Sequence, residues 1–316
     1  MQRLKTFQSL TRSHTLMNTV HKYTGKTKDL ILGICMAIII VGVCYVILSP
    51  IIGIVSNSVK DVSDLANPLI FLIPENFTMD NIRAAFLHMD YVRTLLSTLA
   101  FAMGMTLLHV MVTSMVGYGF ARFRFPGAPF LFGLVIITIV VPVQTYMIPL
   151  FMHFRFFLGG NINLLGSYWT IGLLTLTGVG LRSGLYIYIF RQFFRGVPKE
   201  IEEAAFIDGA GPLSTYTKVM LPNAVPAIVT VTLFAFVWHY NDTFYTSLLV
   251  TGNRLMAVML GMVGLTFSAI ENVQDPTHIQ LIVFSGVLLA ILPILTIYLF
   301  LQRYFIEGLE RSGIVG

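Results

Sequence analysis

Residue types that carry catalysis are few in this sequence and are not spaced for it. The seven histidines are scattered, and no two stand at the i, i+4 spacing of a helical zinc site. Gly25-Lys26-Thr27 is similar to the end of a phosphate-binding loop, but that motif needs a glycine at position 20, where Val20 stands. No Gly-x-Ser-x-Gly elbow occurs. The sequence therefore predicts no metal, nucleotide or cofactor site, and an enzyme is the weaker hypothesis.

Two ionisable side chains stand within long apolar stretches, where such residues are functional candidates. His109 lies midway along one stretch, and a neutral imidazole hydrogen-bonded to a neighbouring helix is the favoured interpretation. Arg182 lies among Gly178, Gly180 and Gly184, which suggests a broken helix that lines a cavity. For the Arg182 side chain itself, the favoured interpretation is that it reaches outward to the lipid headgroups.

A group of aromatic and polar residues follows a further apolar stretch. Aromatic faces beside planar hydrogen-bonding groups are typical of sugar-binding surfaces. Together with Arg182, the candidates for contact with a ligand are Trp238, Asn241, Asp242 and Tyr245. An aromatic belt at the membrane interface would have the same composition without any ligand, and the belt is the favoured interpretation of the individual side chains.

The composition predicts the kind of element that positions these groups. Only 11% of the 316 residues are charged, 56% are hydrophobic, and the mean hydropathy is +0.79. A soluble protein could not cover its surface with so few charges, and a disordered one would be more charged and poorer in aromatic residues. The two cysteines, Cys35 and Cys44, are too few for a disulfide scaffold. The sequence thus predicts an all-α integral membrane protein.

Six intervals are long and apolar enough to cross a hydrocarbon core about 30 Å thick. They cover residues 30–59, 94–121, 125–154, 156–181 with a continuation to 190, 219–241, and 276–302. The predicted organisation is a cytoplasmic segment 1–29, a first transmembrane helix 30–58, an extracytoplasmic loop 59–90, a five-helix core 91–302 and a cytoplasmic tail 303–316.

The placement of lysine and arginine predicts the orientation of these spans. Fourteen of the 20 Lys and Arg residues precede the first span, follow the second or fourth span, or lie in the tail. Five lie in the alternate loops, and Arg182 lies within a span. Because cytoplasmic loops carry the excess of basic residues, both termini are predicted to be cytoplasmic. The net charge of +5 reflects this bias rather than a nucleic-acid surface.

The cytoplasmic loop 191–222 has the pattern of two short amphipathic helices. Pro198 suits a helix start, and the acidic residues after it suit the first turns. Gly209 stands where a left-handed residue would end that helix, and Gly211-Pro212 would begin a second one that stops at Leu221-Pro222. Four acidic residues between Glu200 and Asp208 disfavour contact with anionic lipid, so docking of a protein is favoured over an interfacial helix.

Three motifs in this loop resemble the EAA loop of permease subunits of bacterial ABC importers. They are Glu203-Ala204-Ala205, Asp208-Gly209 and Leu221-Pro222. The turn 121–127 resembles the cytoplasmic turn after the second helix in the carbohydrate group, and the ending 302–316 is similar to that of maltose-type permeases. One departure is the final Gly313-Ile-Val-Gly316, where the family commonly has Gly-Ala-Val-Lys-Gly, which weakens any contact of the tail with an ATPase.

The resemblance implies a fold, a function and partners. It implies a type I importer permease with six transmembrane helices and a cytoplasmic two-helix coupling loop. Glu203 would pair with a basic group of a cytoplasmic ATPase dimer, Ala204 and Ala205 would permit close approach, and Gly209 would form the turn. A homologous second permease, an extracytoplasmic solute-binding protein and the lipid bilayer of a bacterial cytoplasmic membrane would be the other partners.

The transported solute is expected to be a sugar, and an oligosaccharide is favoured. Two alternatives remain at this point. The same loop serves permeases for amino acids, polyamines or phosphate esters. From another class, the chain could be a membrane sensor or scaffold whose loop docks a signalling partner.

Overall fold

A computed structural model describes residues 32–65, 67 and 69–313, with side chains up to residue 300 and at 302. The predicted segment 1–29, including Gly25-Lys26-Thr27, and the last three residues of the chain ending lie outside the described residues. The regular elements of the described part are all helices, with no strand and only the isolated bridges Lys60 to Phe77 and Phe157 to Ile162.

A first group of helices leads up to the loop 191–222. They are α1 Leu32–Ser58, α2 Val62–Leu65, α3 Asp80–His88, α4 Tyr91–Arg122, α5 Ala128–Val140, α6 Met147–Arg155, α7 Tyr168–Leu176 and α8 Ser183–Gly196. A 3₁₀ turn, Val143–Tyr146, leads into α6.

The loop and the end of the chain contain the remaining helices. They are α9 Lys199–Ile207, α10 Pro212–Thr215, α11 Leu221–Asn223, α12 Val225–Asn241, α13 Phe244–Leu249, α14 Met256–Glu271 and α15 Pro276–Gly313. A π-helical segment, Tyr216–Met220, joins α10 to α11. The predicted stop at Leu221-Pro222 is wrong by a few residues, because the helical path continues to Asn223 and bends there into α12.

Length and composition identify three membrane-spanning candidates in the described part. They are α1, α4 and the stretch Pro276–Phe300 of α15. Two bent helix pairs raise the number to five if each pair is one span: α5 with Val143–Arg155, bent by 103°, and Pro212–Asn223 with α12, bent by 79°. The fourth predicted interval folds as the two shorter helices α7 and α8. The count of six spans therefore stays a prediction.

The centre of the molecule is the packing of α4 against α8 and α12. Large side chains of all three helices and of the following π-helical segment are fully buried, among them Tyr186, Phe190, Met220 and Val231. Gly117 allows α4 to come close to α8, because a Cβ added there would lie 2.6 Å from the Cβ of Phe190. By contrast, the apolar window of α1 has no residue buried within the chain.

The loop predicted as extracytoplasmic is ordered around one carboxylate. Asp64 is 1% exposed and accepts hydrogen bonds from the backbone N–H groups of Glu75 and Asn76 and from the Asn76 amide. Lys60 is also buried and donates to the carbonyl of Phe71 at 2.7 Å. These bonds fold residues 59–80 back onto the end of α1.

Candidate functional site

The loop 191–222 adopts the helix, glycine turn and second helix that its sequence predicts. α9 begins directly after Pro198. Gly209 has a φ of +81°, the left-handed conformation that ends a helix at low cost for glycine. The Ala210 N–H donates to the carbonyl of Ala205 at 2.9 Å, which closes the turn. Gly211 and Pro212 then start α10, with proline at the first helical position.

One acidic residue of α9 points inward and anchors the loop to α4. Glu202 accepts a hydrogen bond from the hydroxyl of Tyr118, and its Oε2 lies 3.1 Å from Nε of Arg122. The Arg122 and Glu202 side chains are 5% and 9% exposed. Arg122 also donates to the carbonyl of Val197 at 2.7 Å, just before α9. Buried ion pairs need this kind of additional hydrogen bonding to offset desolvation.

The second half of the loop is joined to the same helix. The hydroxyls of Ser114 and Tyr216 lie 2.8 Å apart, and the rings of Tyr118 and Tyr216 lie 5.2 Å apart between centroids. Tyr216 is 7% exposed. Displacement of the loop would thus act on α4 through two separate buried contacts.

The predicted coupling residues mostly lie on the outer surface of the loop. Glu203, Ala204, Asp208, Gly209 and Pro222 are exposed, and Leu221 is partly buried. The expectation for Ala205 needs correction: it is 9% exposed and packs within the chain, because it follows Glu202 by three residues and so shares the inward face.

Sequence reasoning missed the anchor. Glu202 counted only as one of several acidic residues in the first turns of α9, while Tyr118 lies 84 residues earlier. The spacing of Tyr118 and Arg122 by four residues places both on one face of α4, but that spacing alone does not indicate a partner.

Arg182 and Trp238, two of the predicted pathway residues, are in contact. The predicted helix break is confirmed, since α7 ends at Leu176 and α8 begins at Ser183. Arg182 stands at this break with a φ of +61° and is exposed. Its guanidinium carbon lies 4.4 Å from the centroid of the Trp238 ring, a cation–π contact between α8 and α12.

The other predicted pathway residues are engaged in bonds within the chain. Asp242 is 8% exposed and accepts hydrogen bonds from the backbone of Tyr245 and Thr246. Asn241 is exposed and donates to the carbonyl of Val237 at 2.9 Å. Tyr245 is buried, with its hydroxyl 3.1 Å from that of Tyr146. Asp242 therefore serves to begin α13.

The interpretation of His109 as a hydrogen-bonded group between helices is confirmed. Its Nδ1 lies 2.8 Å from Nε2 of His239 on α12, and its Nε2 lies 2.7 Å from Oγ of Ser183 on α8. With both rings neutral, either tautomer pattern can satisfy this chain of bonds. The three helices of the centre therefore share one buried polar cluster.

Within the part of the chain that the structure describes, no group of three or more His, Cys, Asp or Glu side chains could hold a metal ion. The loop 191–222 presents exposed acidic residues, while the buried polar groups hold helices to one another.

Two similar proteins are named as sugar transport permeases. The chain is 26% identical to the arabinooligosaccharides transport system permease protein AraQ of Halalkalibacterium halodurans, over 87% of this chain and 93% of that protein. It is also 26% identical to the maltodextrin transport system permease protein MdxG of Bacillus subtilis, over 90% of this chain and 96% of the relative.

A solved structure has the same fold. It is a bacterial ABC transporter involved in the import of the acidic polysaccharide alginate, of which one chain matches with a TM-score of 0.65 and 23% identity, over 88% of this chain and 98% of that chain.

The family match covers more than half of the chain. Residues 110–311, which include α8, the whole loop 191–222 and α12, match the family described as binding-protein-dependent transport system inner membrane component. Together with the apolar helices, this match makes the chain an integral membrane protein of the cell membrane. The chain belongs to the family of inner membrane components of binding-protein-dependent transport systems.

Proposed function

We propose that this permease moves an oligosaccharide across the cytoplasmic membrane by alternating access. The observation that carries the proposal is the loop 191–222, which exposes Glu203 on its outer face and is fixed to α4 by Glu202 on its inner face. Relatives named for arabinooligosaccharide and maltodextrin transport support the choice of solute. The chain is a membrane component and not an enzyme, and ATP hydrolysis belongs to a separate subunit.

The proposed partners bind on opposite sides of the membrane. A cytoplasmic ATPase dimer docks on the loop, a homologous permease completes the pathway, and a solute-binding protein delivers the sugar from outside. In this arrangement both termini are cytoplasmic, the chain has six spans, and the loop 59–90 is extracytoplasmic.

Coupling would run from the loop into the helices of the centre. Closure of the ATPase dimer displaces α9 through the exposed Glu203 side. Because Glu202 is paired with Arg122 and Tyr118, α4 must move with α9. Tyr216 transmits the same displacement to α4 and, through the continuous helical path, to α12. Rigid packed elements carry motion in this way because buried contacts resist gradual deformation.

The Arg182 and Trp238 pair is the proposed point of solute contact on this chain. Both side chains are exposed, and an indole face beside a guanidinium fork offers stacking and hydrogen-bond donation to a sugar. Asn241, Asp242 and Tyr245, which follow Trp238 closely in the chain, would complete the proposed pathway surface.

The test is transport by the assembled importer carrying Glu203→Ala. The matched control is Glu200→Ala, another exposed acidic residue of the same helix. Glu203→Ala should abolish sugar uptake and the ATPase stimulation by the binding protein, while the amount of inserted permease stays unchanged. Glu200→Ala should retain both activities. Normal uptake with Glu203→Ala would refute the coupling role.

The solute is tested separately with labelled sugars. Uptake in a deletion strain complemented with this permease and its partners should occur for at least one member of an oligosaccharide panel. Uptake of amino acids or polyamines instead, with no oligosaccharide transported, would contradict the proposed substrate class.

A further inference from the structure

We propose that a cavity beside the loop binds the phosphate headgroup of an anionic phospholipid. The cavity has a volume of about 590 Å³ and lies between the ends of α4 and α8 and the start of α9. Five cationic residues line it: Arg122, Arg124, Arg191, Arg195 and Lys199. Glu203, the proposed ATPase contact, also lines the cavity, and the inference uses the proposed orientation to assign the inner leaflet.

The cavity keeps a surplus of positive charge. Glu202 is paired with Arg122, so these two charges compensate each other. Glu203 is the other carboxylate at the cavity. The remaining four cations form no ion pair with any described residue. An anionic ligand would therefore find three positive charges in excess of the carboxylate, in a site of limited volume.

Arg191 is held in place with unused hydrogen-bond capacity. Its guanidinium carbon lies 3.8 Å from the centroid of the Phe132 ring, a cation–π contact that fixes the plane of the group. Its Nε is buried and has no hydrogen-bond partner among the described residues. The other nitrogens of the group form no hydrogen bond with a described residue either, and a phosphate oxygen is a partner that matches the guanidinium fork.

The surroundings favour a lipid over a soluble phosphate. α5 follows the cavity residues 120–124 in the chain. It has no buried residue and presents a continuous apolar surface. Phe130 and Ile137 of this helix are 70% and 53% exposed. A headgroup in the cavity would place its acyl chains along α5, where they cover this surface. Basic pockets at the cytoplasmic ends of membrane helices commonly hold anionic headgroups.

The test measures lipid retention by the purified full-length permease in its assembled complex. Native mass spectrometry after exchange into phosphatidylglycerol or phosphatidylcholine gives the bound lipid directly and needs neither ATP nor sugar, so its outcome is separate from that of transport. We expect retention of phosphatidylglycerol and not of phosphatidylcholine. Equal retention of both lipids would overturn the proposal.

The double variant Arg191→Gln/Arg195→Gln tests the residues. Each arginine near a membrane surface strengthens anionic lipid binding about fivefold, so the pair should weaken phosphatidylglycerol binding about 25-fold. The matched control Arg93→Gln/Arg155→Gln removes two exposed arginines from other parts of the chain and should change little. The same loss in both double variants would overturn the site.

A single variant and a competition experiment also test the lipid site. Arg195→Gln alone changes an exposed side chain and should leave folding intact. It should weaken lipid binding about fivefold. Unchanged binding would overturn the proposal even if the double variant misfolds. Inorganic phosphate and glycerol 1-phosphate at millimolar concentration should not displace the lipid. Full displacement by either would assign the cavity to a free phosphate and overturn the lipid proposal.

Discussion

Nε of Arg122, at the end of α4, lies 3.1 Å from Oε2 of Glu202, in the first turn of α9, and both side chains are more than nine-tenths buried. The neighbouring residue Glu203 is exposed. Two adjacent acidic residues thus have opposite surroundings: Glu202 fixes the loop to α4, and Glu203 is the proposed contact for a partner. Substitutions at and around these two residues would separate their roles and test the packing.

Removal of Glu202 should destabilise the permease strongly. Glu202→Ala leaves the charge of Arg122 buried without its partner, which costs about 3–5 kcal/mol. The double variant Glu202→Leu/Arg122→Leu removes both charges and should cost less than the single one. Unfolding of the purified protein in detergent measures both, and a Glu202→Ala variant with the stability of the original would contradict the anchoring role.

Close approach of α4 and α8 should depend on Gly117. Gly117→Ala places a methyl group 2.6 Å from the Cβ of Phe190, so the helices must separate at a cost of about 1–3 kcal/mol. Gly119→Ala is the matched control, because a Cβ there meets nothing within 4 Å and alanine favours the helix. In thermal unfolding, the melting temperature of Gly119→Ala should equal or exceed that of the original protein, and that of Gly117→Ala should be lower. The reverse order would refute this packing.

The histidine cluster should behave as one cooperative unit. His109→Leu leaves His239 and Ser183 buried without a partner, at about 1–3 kcal/mol for each group. Adding His239→Leu removes one of these orphaned groups, so the double variant should be more stable than the sum of the two single effects predicts. A double-mutant cycle of unfolding free energies checks this, and strictly additive values would show that the two rings do not interact.

The loop 59–80 should loosen only in acid. Burial by itself would raise the pKa of Asp64, but the hydrogen bonds from Asn76 and Glu75 outweigh it and hold the pKa below its usual value. The contribution of this carboxylate is therefore complete above the unfolded-state pKa of about 3.9 and is lost as the pH falls through the lower folded-state value.

Hydrogen exchange at the amides of Glu75 and Asn76 measures this loosening. Protection should be constant from about pH 7 to pH 5 and should fall below about pH 4. Asp64→Asn should lose protection at every pH, because the amide brings donors to face the donors of Asn76. Loss of protection in the original protein already near pH 6 would contradict the assignment.

Sequence by itself determined the class of protein and the local form of the loop. A low charge content excludes a soluble or disordered chain wherever the charges lie in the sequence. This conclusion needs no knowledge of which residues are in contact. The turn at Gly209, the start of α9 after Pro198 and the break near Arg182 depend on residues within one or two turns, so the pattern was sufficient for each.

Tertiary structure alone decided which groups work together. Glu202 and Glu203 have the same chemistry and adjacent positions, and only the packing of α9 on α4 makes one an anchor and leaves the other exposed. His109 and His239 are 130 residues apart in the chain, and no spacing rule relates them. Helix periodicity assigns residues to faces, whereas the choice of the opposing helix depends on how complete helices pack.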